Sequence, residues 1–152
     1  MNYHLPALYI LFSLFVLGCG DEKTDSLPQD DLCSEPEIGC FDSTWSAESS
    51  SYRLQLLSAS PLLPERGSNE WLVELTSKTN ESLDSCEVNA TPYMPEHGHG
   101  APAQPQVMKT PQSDYLIQEI LFTMPGLWEL TFDIQCGETS SELVIYSFWL
   151  EA

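Results

Sequence analysis

His97 and His99, two of the chain's three histidines, stand two residues apart in Thr91-Pro92-Tyr93-Met94-Pro95-Glu96-His97-Gly98-His99-Gly100-Ala101-Pro102. That stretch continues through Gln104-Pro105 to Val107-Met108. Imidazoles spaced this way around a glycine can converge on one metal ion; imidazole suits Cu(II) or Zn(II), and a thioether suits Cu(I). Met94 and Met108 flank the pair, and Met124 lies in the turn Phe122-Thr123-Met124-Pro125-Gly126. The expected ligand is copper or another soft-to-borderline metal. His97 and His99 would be the imidazole donors, with Met94, then Met124 or Met108, as thioether donors. The plainer reading has the imidazoles hydrogen-bonding loop carbonyls and the methionines filling the core. Zinc catalysis would need a third close ligand and a placed base, for which Glu96 is the only local candidate. Binding without turnover is therefore the expectation.

Other chemistries lack their residues. The chain contains no Gly-rich phosphate loop, no Gly-x-Ser-x-Gly elbow and no Cys-x-x-Cys. Its 23 acids make any single carboxylate pair uninformative as a catalytic signal. The formal net charge of −18 and the absence of any Lys/Arg cluster exclude an electrostatic nucleic-acid groove. Anionic membrane surfaces are poor partners for the same reason.

Residues 5–18 form an almost uninterrupted apolar run, shorter than the roughly 20 residues a spanning helix needs. It reads as the hydrophobic region of a signal peptide. Val16-Leu17-Gly18-Cys19 follows and resembles the bacterial lipobox, whose Cys carries lipid after cleavage. The expected organisation is a signal peptide over 1–18, lipidated Cys19 and an acidic tether over 19–51, and a folded domain over 52–152. Residues 20–51 hold nine acids and one Lys with many Ser, the composition of a solvated segment. The mature protein is expected outside the cytoplasm, facing the periplasm or the cell surface and held to a membrane by its lipid.

From Tyr52 onward, short runs of period near two, rich in β-branched and aromatic residues, alternate with Pro, Gly, Asn, Ser or Asp. Strands are predicted over 52–58, 70–77, 84–92, 106–110, 114–122, 127–136 and 141–150. Trp71, Val73 and Leu75 share one face, as do Trp128, Leu130, Phe132 and Ile134, each set opposite mostly polar residues. This predicts an all-β, immunoglobulin-like antiparallel sandwich of about seven strands, with the histidine segment in a loop after the third. With Cys19 lipidated, the other four cysteines allow three pairings. Cys33–Cys40 with Cys86–Cys136 is preferred, because the first pair is local.

Met94-Pro95-Glu96-His97-Gly98-His99-Gly100, followed some twenty residues later by Leu121-Phe122-Thr123-Met124-Pro125-Gly126-Leu127-Trp128, resembles the pattern of the YtkA-like family. These are small exported, often lipid-anchored domains similar to the FixH proteins associated with copper-oxidase assembly. The resemblance implies an immunoglobulin-like sandwich over about 52–150 and a partner that is copper or a copper protein. The reading is thus an exported binding domain that captures or hands over copper. A rival from another class makes the same loop a rigid contact surface of a protein-interaction module, with Trp71, Trp128 and Trp149 as core.

Overall fold

A computed structural model describes residues 41–138 and 141–151. Alternating apolar residues build two antiparallel sheets. The strands are β1 (Ser46–Glu48), β2 (Tyr52–Ser60), β3 (Gly67–Ser77), β4 (Cys86–Met94), β5 (His99–Gly100), β6 (Gln106–Lys109), β7 (Tyr115–Phe122), β8 (Gly126–Cys136) and β9 (Glu142–Leu150). One sheet has the order β1-β2-β3-β7-β6 and the other β5-β4-β8-β9. The chain is an all-β sandwich, and each predicted strand is present with its ends shifted by at most three residues.

The period-two reading fixes the core. Trp71, Val73, Trp128, Leu130, Phe132 and Ile134 are fully buried between the sheets, beside Phe122 and Phe148. Each buried aromatic removes a large apolar area from water, and their tilted and edge-to-face contacts add specificity to the packing. Register shifts occur between Asn69 and Trp71 on β3, opposite β7. The buried Asn69 amide bonds the Glu65, Gly67 and Ile120 carbonyls there, so its polar group is satisfied.

Three features depart from expectation. The fold starts before residue 52: Phe41 and Trp45 are buried, and β1 pairs with β2. Trp45 stacks on Tyr146 at 4.3 Å between centroids, and Phe41 packs on Trp71 and Phe148. The histidine segment is a hairpin closed by β5 and not an open loop. Trp149 stands outside the buried core, because its place on β9 alternates with Phe148 and Leu150, which point inward.

Cys86 and Cys136 are direct cross-strand partners and form a disulfide, as preferred from the sequence. Cys19, Cys33 and Cys40 lie outside the described residues, as does His4.

Candidate metal centre at the β4–β5 hairpin

The sequence sets the hairpin locally. β4 alternates buried and exposed positions from Cys86 to Met94, which puts Met94 on the inner face at its last residue. Pro95 then ends the strand. The N–H groups of His97 and Gly98 both donate to the Met94 carbonyl, at 3.2 and 2.9 Å. Gly98 has φ +68°, a conformation that favours glycine, and it returns the chain so that His99 pairs with Met94.

This turn carries both imidazoles at one exposed tip, their ring centroids 5.8 Å apart. A ring nitrogen binds copper or zinc at about 2.0 Å, which sets its centroid about 3.1 Å from the ion. Two such rings 5.8 Å apart, nitrogens inward, would subtend about 140° at a shared ion, between trigonal and linear arrangements. His99 Nδ1 lies 3.1 Å from the Gly100 carbonyl. With the proton on Nδ1 donated to that oxygen, Nε2 keeps its lone pair for a ligand.

Met94 lies directly opposite His99, and directly paired residues share a face. Its thioether is fully buried, and its Cε lies 3.0 Å from the point where a Cβ on Gly126 would sit. Gly126 has φ +129° and opens β8. Trp128 Nε1 donates to the Met124 carbonyl at 3.0 Å, closing the Met124-Pro125-Gly126 turn. The two sequence blocks therefore meet in space. The glycine of the second makes room for the methionine of the first, and Glu96 Oε2 comes within 3.9 Å of the same Gly126 position.

Of the expected donors, His97 and His99 stand together at the exposed tip, Met94 is paired with His99 across the hairpin but is buried against Gly126, and half-buried Met124 sits in the turn that Met94 touches. Met108 does not join them. It is exposed on β6, next to Lys109, whose Nζ bonds the Leu83 and Asp84 carbonyls toward the disulfide end. Among the described residues, no group of three or more His, Cys, Asp or Glu is placed to hold a metal. Two exposed imidazoles are a sparse donor set, short of the four ligands of a structural zinc site.

Fold and tip together define a two-sheet β domain that presents paired imidazoles on a hairpin. The chain belongs to the YtkA-like family, whose pattern matches residues 46–133. No curated protein matches it. Among solved structures, it is similar to a DUF4426 family protein from Pseudomonas aeruginosa PAO1, with 8% identity and TM-score 0.49, covering 70% of this chain and 96% of that one. It is also similar to FetP of uropathogenic Escherichia coli strain F11, with 11% identity and TM-score 0.48, covering 72% of this chain and 94% of that one. A copper-bound variant of that FetP matches at 10% identity and TM-score 0.46, covering 72% and 91%.

Proposed function

We propose that this protein is an exported, lipid-anchored and non-catalytic binding domain that captures copper at the tip of the β4–β5 hairpin and hands it on. The observation that carries the reading is the pair of exposed imidazoles, 5.8 Å apart and held on a glycine-closed turn in which His99 pairs with Met94. His97 and His99 would be the primary donors. Met94 is the thioether in register with His99, and Met124 lies in the turn beside Gly126. The export signal and Cys19 anchor rest on the lipobox-like Val16-Leu17-Gly18-Cys19, and copper, as cargo, would be held outside the cytoplasm.

Titrating the full chain with Cu(I) and Cu(II) against a competing chelator tests this. The parent should bind one equivalent tightly, and a His97→Ala/His99→Ala variant should lose that equivalent while keeping its melting temperature. Equal binding by parent and variant would sink the copper reading. Mass spectrometry of the mature N-terminus tests the anchor, and an unmodified Cys19 would overturn it.

The rival reading, a rigid contact surface without metal, draws support from the complete burial of Met94 against Gly126. It expects loss of a protein partner, with no change in metal content, when the same histidines are replaced.

A further inference from the structure

Sheets end in edges, and among the described residues three of the four are guarded. β1 has three residues, and its Glu48 pairs with Arg53 and Lys78. β6 has four residues and carries Lys109. On the β4 side, two-residue β5 covers the tip, and Pro92 offers no amide. Short strands, charges and prolines are the usual means of blocking edge pairing. β9 has none of them. It is nine residues long, Glu-Leu-Val-Ile-Tyr-Ser-Phe-Trp-Leu, with one charge at its first position.

The ladder shows which backbone groups it leaves over. Cys86 and Cys136 pair with Cα atoms 4.0 Å apart, the spacing of a pair that exchanges no backbone hydrogen bonds. Consistently, the Cys86 and Pro92 carbonyls accept from Tyr115 Oη and the Ala101 N–H, on the side away from β8. Alternation then assigns Trp128, Leu130, Phe132 and Ile134 as the β8 residues that bond β9, through Phe148, Tyr146, Val144 and Glu142. The amides and carbonyls of Leu143, Ile145, Ser147 and Trp149 face outward, with no strand beside them among the described residues. Leu143 and Ile145 are also 56% and 51% exposed.

We propose that β9 is a homodimer edge, pairing antiparallel with β9 of a second copy about a two-fold axis at Tyr146. That register sets Leu143 opposite Trp149 and Ile145 opposite Ser147 of the second copy, so every outward backbone group meets another. It also sets Glu142 opposite Leu150, with Glu151 one residue beyond. Glu142 is the one acid within β9, and this register does not set it against the second copy's Glu142. One open edge per copy closes the assembly at two.

The test is site-resolved hydrogen exchange with sedimentation on the full chain in detergent, across protein concentrations at a fixed excess of micelles. The Leu143, Ile145, Ser147 and Trp149 amides should slow about tenfold or more as concentration rises, in step with a monomer-to-dimer shift. Ser147→Pro deletes one outward amide and spares the β8 ladder, and Ile145→Pro deletes another. Both should return the protein to monomer in the same detergent with the β8 amides still protected. The proposal fails if the four amides exchange fast at every concentration, if both variants remain dimeric, or if the species formed are larger than two.

Discussion

Gly126 shows at the level of one residue why two distant motif blocks occur together. Its φ of +129° disfavours any side chain, and a Cβ there would meet the Met94 methyl at 3.0 Å. Gly126→Ala should therefore cost about 1–3 kcal/mol in urea unfolding and displace Met94 from beneath the hairpin. Glu142 works at the other end of the sandwich, where it accepts hydrogen bonds from the Ser51 amide and hydroxyl. Bonds from the Ser49 hydroxyl first, then from Ser51, hold its carboxyl down at about 2. A carboxyl lowered on folding contributes stability in full above its unfolded value, near 4.5, and loses it as pH falls through about 2. The urea midpoint should decline from about pH 5 toward pH 2, and Glu142→Gln should show a shallower decline. The histidine pair and Met94 were legible in the sequence because spacing and punctuation alone put them on one turn. Met108, the alternative to Met124, stands apart from the pair, because residues 101–105 carry the chain to the other sheet before β6 begins.

At the level of elements, long alternating strands were readable and short ones were not. β8 shows unbroken period-two burial over its 11 residues and β3 from Asn69 to Leu75, so their inward faces could be named from sequence. β1 and β5 are three and two residues long, too short for any period, and exist because a neighbour pairs with them. Acidic and serine-rich composition also concealed that Phe41 and Trp45 belong to the core. The available signal was two aromatics isolated in polar sequence. Trp45 contacts Trp71, Phe132 and Tyr146, so this strap fills the open side of the sandwich between β2 and β9. Trp45→Ala should destabilise the domain by about 3–5 kcal/mol in equilibrium unfolding, whereas replacement of a residue in a mere tether would change nothing. The Cys86–Cys136 bridge was readable as one of three pairings, and the register makes it a direct cross-strand link. It closes a span of 50 residues, and Cys86→Ser should cost about 2–5 kcal/mol.

For the whole molecule, the charge of −18 complicates any measurement of metal binding. Twenty-three carboxylates attract every divalent cation, so a low-salt titration with Cu(II) would report the surface along with the tip. The two contributions have different ranges. Attraction to a spread of exposed acids acts over the Debye length, which shrinks to about 4 Å near 0.5 M salt. Coordination by two imidazoles is a contact bond at about 2 Å and is not screened in that way. Raising salt should therefore strip the weak equivalents from parent and double-alanine variant alike and leave one equivalent on the parent only. The same salt should raise the melting temperature of both proteins, because it relieves repulsion among acids that the fold holds close together. If instead the last equivalent disappears with salt as steeply as the others do, the hairpin adds nothing to the acidic surface, and its histidines serve the turn alone.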